Sequence, residues 1–343
     1  MPRSLLITGF FLILSALASA QDDPPQYNLN SDGRAFLLNE ARTASFFLLG
    51  ELHGENEIPA LLHALWPEMS RAGYAHVAAE VSPWAAGELQ TGPAEKPFGL
   101  SLWSRADALF IRASGGDIWG CDIEEGQPDR LISSLLSKDP GNAALRQMAA
   151  VTKTGYRRKD APQLLQLARQ AADEDLLDTF RVEALRSDPN RKYEASVKRE
   201  NIMKKNFARH LVASPDGDKI LLRFGRNHLH RGYDARGVST LGNFAAELAT
   251  SKGLHTFNVA AFAAGGIEHL NGETFDADDR NDEPAFRYLA ALAKYPATVF
   301  DLRPLRPVLH RIPPSSRTAL QTNLIYWAES YDAIICYQTV TPQ

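Results

Sequence analysis

The chain has 343 residues, 44% of them hydrophobic and 23% charged, with 23 glycines and 20 prolines. These proportions exclude wholesale disorder, a collagen-like repeat and a long coiled coil. Lys and Arg number 37 against 41 Asp and Glu, a formal charge of −4, and there are two cysteines. Nucleic acid is therefore not the expected partner, since phosphate binding needs a concentrated positive face. A disulfide-rich scaffold and a four-thiolate metal site are excluded as well.

Residues 1–20 open with Arg3, run apolar from Leu5 to Leu17 and close on Ala18-Ser19-Ala20, a small-x-small site. This pattern predicts a cleavable export signal. The apolar run is too short for an anchor, because a helix of that length spans about 20 Å against a hydrocarbon core of roughly 30 Å. No cysteine follows it, as a lipoprotein signal requires. The expectation is a secreted protein, periplasmic in a Gram-negative host, with no stable membrane anchor after signal cleavage. An oxidising compartment permits a bridge between Cys121 and Cys336. Both sit in apolar, strand-like stretches, however, and read as buried thiols.

Residues 21–40 read as a loose leader, polar and carrying Pro24 and Pro25. The rest, 41–343, reads as one α/β domain. Strands are predicted at 45–49, 76–81, 117–121, 219–224, 256–262, 297–301 and 333–338. Continuous runs such as FFLL, ILLRF and AIIC suit strands covered on both faces. Helices are predicted at 58–72, 101–113, 143–154, 162–186, 193–212, 241–251 and 283–293. Alternation of this kind predicts an open, mostly parallel central sheet flanked by helices. Residues of about 124–216 hold no good strand and form a helical insertion over the carboxyl edge of the strands, either a lid on a site or a plain helical layer. The acidic stretch 273–283 lacks the spacing of a calcium loop and reads as a solvated surface loop.

Ligands of open parallel sheets bind beyond the carboxyl ends of the strands. Four successive predicted strands release polar residues there. The first ends in Gly50-Glu51-Leu52-His53-Gly54, the second in Glu80, the third in Asp122 and the fourth in Gly225-Arg226-Asn227-His228. Taken singly each has a plainer account. Glu51 and His53 can cap a helix, Glu80 can be an ion-pair partner, His228 a loop histidine, and Asp122 an acceptor for backbone N–H groups. His230 is expected on the rim, and His63 and His76 as packing residues. The convergence carries the inference.

The chain has no Gly-x-Ser-x-Gly, no Gly-x-Gly-x-x-Gly, no phosphate-loop lysine motif and no His-Glu-x-x-His. What remains is imidazole oriented by carboxylate. His53 can take a proton from water while Glu80 or Glu51 holds its ring. A second imidazole or a guanidinium can stabilise a developing oxyanion. Glu51, His53, Glu80 and His228 can equally ligate a divalent metal. Sequence leaves both readings open.

Gly-Glu-x-His at 50–53 and Gly-x-x-His at 225–228 resemble the paired signatures of the erythromycin esterase-like superfamily, which also includes haem-uptake lipoproteins and Tiki-type metalloproteases. Arg199-Glu200-Asn201-Ile202-Met203-Lys204-Lys205-Asn206 is similar to the esterase branch's Arg-acidic-x-x-Met-x-x-Asn helix, with Arg199, Met203 and Asn206 on one helical face. Gly120-Cys121-Asp122, Asp301-Leu302-Arg303 and Tyr331-Asp332-Ala333-Ile334 also follow the family's order. The resemblance implies a hydrolase of an ester or related small-molecule carbonyl substrate. His53 would activate water, with Glu80 as its partner. Glu51 and His228 would complete a polar floor that Asp122 adjoins, and Arg199 would reach down from the insertion. It implies no cofactor; the alternatives within the superfamily are a haem or iron-complex binder and a peptidase using a divalent metal. Cys121 stands where the family has an aromatic residue, Arg226 adds a charge, and the insertion is short for a macrolide-sized cavity. Erythromycin is accordingly not the expected substrate.

Overall fold

A computed structural model describes residues 23–91, 103–270, 273–277 and 283–342. The predicted export signal lies outside the described residues. Eight strands make one sheet: β1 (Gln26–Asn28), β2 (Phe46–Glu51), β3 (Tyr74–Ala79), β4 (Asp117–Gly120), β5 (Lys219–Gly225), β6 (Thr256–Ala263), then, beyond a separate hairpin of β7 (Ile267–Leu270) and β8 (Glu273–Asp276), β9 (Ala297–Asp301) and β10 (Ala333–Tyr337). Their spatial order is β1-β9-β10-β6-β2-β5-β3-β4. The run from β10 to β4 is parallel throughout, and only β9 and β1, at one side, pair antiparallel.

The continuous apolar runs are explained by helices on both faces. Phe47, Leu49, Val77, Leu221 and Val259 face one layer, built by α1 (Asp32–Thr43), α2 (Glu57–Arg71), α3 (Pro83–Thr91) and α4 (Arg105–Ala113). Phe46, Leu48, Leu222, Phe224 and Phe262 face the other. Between β4 and β5 the chain forms α5 (Pro128–Lys138), α6 (Ala143–Val151), α7 (Ala161–Ala171), α8 (Glu174–Arg186) and α9 (Lys192–Ala213). This is the helical insertion over the carboxyl edge. Its first four helices close a core of their own around Leu131, Leu145, Leu164 and Phe180. By contrast α9 returns to the sheet, where Met203 and Phe207 join α10 (Leu241–Ser251), α11 (Pro284–Leu292), α12 (Leu305–His310) and α13 (Ala319–Ser330) in the second layer.

Four expectations are corrected. The stretch 273–283 is not all loop: Glu273–Asp276 is β8, paired with β7, while 278–282 lie outside the described residues. Residues 23–40 are not a loose leader: Gln26, Tyr27 and Asn28 pair with Phe300, Val299 and Thr298, and α1 buries Leu37 and Ala41. Tyr27 stacks on Phe36 with ring centroids 4.9 Å apart, which ties strand to helix. Pro24 and Pro25 precede this edge strand and so remove no internal ladder hydrogen bond. The single helix predicted over 162–186 is two, because Ala172 adopts φ 57° and the Asp173 side chain accepts the Leu176 N–H at 2.9 Å, starting α8 afresh. The helix predicted from 101 begins at Arg105, after a capping box of Ser104 and Asp107.

Candidate active site

The four strands that release polar residues are neighbours in space. β2, β5, β3 and β4 form an unbroken parallel run, so Glu51, Glu80, Asp122 and the turn after β5 emerge side by side. The connections leave β2 and β5 in opposite directions, through α2 on one face and α10 on the other. A crevice opens at such a reversal of winding.

Glu51, the last residue of β2, is buried. Its Oε2 accepts from Arg223 Nε at 2.5 Å. Its Oε1, with no hydrogen-bond partner among the described residues, faces His53 Nδ1 at 3.7 Å. Arg223 lies on β5 with its guanidinium 4.3 Å from the centroid of the Trp103 ring. Burial pushes the Glu51 carboxyl up to about 7 even against the pull of Arg223.

Glu80 is the hub. Oε2 accepts the Gly225 N–H at 2.6 Å and stands 3.9 Å from His53 Nε2. Oε1 accepts from Arg199 Nη2 at 2.8 Å and lies 3.4 Å from His228 Nε2. Burial opposes its ionisation, but His228, Arg199 and His53 together hold its pKa well below the ordinary carboxylate value. Gly225 is required here by space, not by backbone angle: a Cβ at this position would fall 2.6 Å from His53 Nε2 and 3.1 Å from Glu80 Oε2.

Arg199 enters from α9. It donates through Nε to both Asp122 oxygens, at 3.0 and 3.1 Å, and through Nη2 to Asp122 and Glu80. Glu125 Oε2 lies 3.0 Å from the same Nη2. Burial keeps the Asp122 pKa above its ordinary value in spite of this guanidinium.

The turn after β5, Arg226–His228, carries the second imidazole. His228 Nδ1 donates to Glu200 Oε1, whose partner oxygen accepts the Leu241 N–H at 2.8 Å, at the start of α10. Burial works against the charged ring, but Glu80 and Glu200 push its pKa up to about 10. The His53 side chain keeps 20% of its surface exposed and that of His228 8%. Of the two rings, His53 is therefore the more open to solvent.

All six candidate residues from sequence, Glu51, His53, Glu80, Asp122, Arg199 and His228, come together at this edge. Sequence reasoning missed Arg223, Glu200, Glu125 and the spatial demand on Gly225. Arg223 had a visible signal, a charge inside the apolar run ILLRF, since a buried charge needs a partner. Glu200 stood next to Arg199 in the helix motif without a role. His230 is not on the rim: it is buried, its ring 5.0–5.2 Å from those of Tyr326, Trp327 and Tyr331, and burial drives its pKa down to about 3. Arg226 points away from the hub, donating to the Ala261 carbonyl and lying over the Phe286 ring. His63 and His76 stack on Phe110 and Trp119. Cys121 and Cys336 are free and buried.

Among the described residues no three His, Cys, Asp or Glu side chains are disposed to hold a metal ion.

No family model matches the chain, and no curated protein matches it in sequence. Among solved structures, a protein from Bacillus cereus is similar over 98% of both chains, with a TM-score of 0.58 at 13% identity. An erythromycin esterase mutant in its open conformation is similar over 90% of this chain and 94% of its own, with a TM-score of 0.55 at 17% identity. A succinoglycan biosynthesis protein is similar over 96% and 97%, with a TM-score of 0.55 at 12% identity. At such identities it is the fold that is shared, and the chain has the fold seen in an erythromycin esterase.

Proposed function

We propose that the protein is a hydrolase in which His53 activates water against an ester or related carbonyl group of a small molecule. The observation that carries this reading is the placement of His53. It is the imidazole that reaches solvent at the meeting point of four strand ends, and each of its ring nitrogens faces a carboxylate, Glu51 at 3.7 Å and Glu80 at 3.9 Å. These separations are longer than hydrogen bonds, as is common where catalytic contacts tighten only on substrate. The fold shared with an erythromycin esterase supports hydrolysis as an analogy.

In this reading Nδ1–H of His53 turns to Glu51 Oε1, which fixes the tautomer and leaves Nε2 as the base. Nε2 takes a proton from water as the water oxygen bonds to the carbonyl carbon. The imidazolium so formed lies between two carboxylates, and Glu80 is already ionised. When the tetrahedral intermediate collapses, the bond to the leaving oxygen breaks and His53 returns the proton to it. General-base catalysis of this kind is worth about 100-fold or more in rate.

The test is hydrolysis of a panel of chromogenic esters by the full chain beside a folded His53→Ala variant. Turnover in the wild type that falls by about 100-fold or more in the variant supports the reading. Equal turnover in the two overturns it.

A further inference from the structure

The two imidazoles of the site differ in what surrounds them. His53 has carboxylates beyond hydrogen-bonding distance and an exposed edge. At His228, Nδ1 is bonded to Glu200 Oε1, and Nε2 stands 3.4 Å from Glu80 Oε1. A neutral imidazole carries one N–H, and an ionised carboxylate only accepts. A ring with both nitrogens against carboxylates satisfies both contacts only when both nitrogens carry protons.

Glu200 is itself immobilised. It is 1% exposed, its Oε2 holds the Leu241 N–H at the first turn of α10, and its backbone belongs to α9. It bonds His228 and is buried from solvent.

We infer that Glu200 is a positioning residue: from the insertion helix it fixes His228 as a doubly protonated ring whose Nε2–H points at Glu80. His228 is then a permanent cation and not a second base. Its task is to keep Glu80 ionised beside His53, together with Arg199. The neighbouring groups are Arg199 on α9, which shares Glu80 Oε1 with the ring, and, on its own loop, Arg226 and the neutral, buried His230; among the described residues the acceptor for Nδ1 is Glu200. Adjacent residues of α9 thus act on the site from two sides, Arg199 on Glu80 and Asp122, Glu200 on His228. The catalytic consequence rests on the hydrolase reading, whereas the state of the ring does not.

Two readouts separate these. In ¹⁵N-histidine-labelled full chain, long-range ¹H–¹⁵N spectra report which ring nitrogens carry protons, with His228→Gln identifying the signal. At pH 8 the wild-type His228 ring is expected to hold both protons, and in Glu200→Gln it is expected to have lost one. A wild-type ring that is neutral at pH 8 overturns the inference, and this measurement stands even if Glu200→Gln does not fold. A ring still doubly protonated at pH 8 in folded Glu200→Gln overturns the role of Glu200. On an ester that the wild type hydrolyses, Glu200→Gln is expected to lower kcat by about tenfold or more with KM little changed, and Glu200→Asp to recover part of it. An unchanged kcat overturns the positioning role. Absence of any hydrolysis by the wild type counts against the hydrolase reading, and the ring spectra still decide for or against Glu200.

Discussion

Gly225 and His53 approach so closely that one added carbon at 225 would sit 2.6 Å from the imidazole Nε2. The atoms it would meet are side-chain tips, His53 and Glu80, which can swing aside. Gly225→Ala is therefore expected to fold and to lose little stability, while driving the His53 ring out of line. Ester turnover should fall by about 100-fold, the loss expected for a misplaced base. Full activity in Gly225→Ala would mean that His53 does not act from the position seen here.

Arg199 binds three carboxylates, Glu80, Asp122 and Glu125. Removing one partner of a buried charge cluster costs about 3–5 kcal/mol. Arg199→Met should lose that order of stability in urea at pH 7. The deficit should shrink towards pH 5, because the orphaned carboxylates can then take up protons. A deficit independent of pH would show that lost packing, not stranded charge, is the cause.

Glu51 has a pKa raised to about 7 by burial, with Arg223 pulling it down. Its ionised form is the stronger acceptor for His53 Nδ1–H and the one that stabilises the imidazolium, so the kcat/KM profile should rise with pH through about 7. Arg223→Met takes away the lowering charge and should move that limb to higher pH. A limb that stays in place would separate Glu51 from the step.

Glu55 is buried near Glu51 and Glu268, and its pKa is pushed up to about 9, chiefly by burial. Its Oε2 has no hydrogen-bond partner among the described residues. A carboxyl whose folded pKa exceeds its unfolded value binds more proton when folded, so stability falls as pH rises between the two. Glu55→Gln should gain on the wild type over that window, by up to roughly 1.4 kcal/mol per pH unit. Parallel stability curves from pH 5 to 9 would remove Glu55 as the cause.

Cys121 and Cys336 are unbridged and buried, and burial pushes the Cys336 thiol up to about 12 and Cys121 higher still. The native protein should react slowly with thiol reagents, and a reductant should leave its melting temperature unchanged. A melting temperature that drops with reductant would point to a bridge.

The sheet strands and the site were readable because both follow from local pattern. FFLL and AIIC declare strands covered on both faces, and strand ends declare where Glu51, Glu80 and Asp122 emerge. The partners were not readable, because Arg223 meets Glu51 and Glu200 meets His228 only once β5 lies beside β2 and α9 returns to the sheet. β1 escaped for another reason: Gln26-Tyr27-Asn28 is too short a stretch to declare a strand by its pattern, and only pairing to β9 makes it one. His230 was placed wrongly because the rings that bury it come from α13 and the residue after it, about a hundred positions later in the chain.

The sheet order also decides how the protein can be held. β1 lies four strand positions from β2, the strand that leads into His53, which at about 4.8 Å per strand is roughly 19 Å. The chain enters the fold at that far edge, and none of the six candidate residues comes from β1, β9, β10 or β6. A surface, resin or fusion partner attached ahead of residue 26 would grip the buttressing half of the sheet and leave the working half turned to solution.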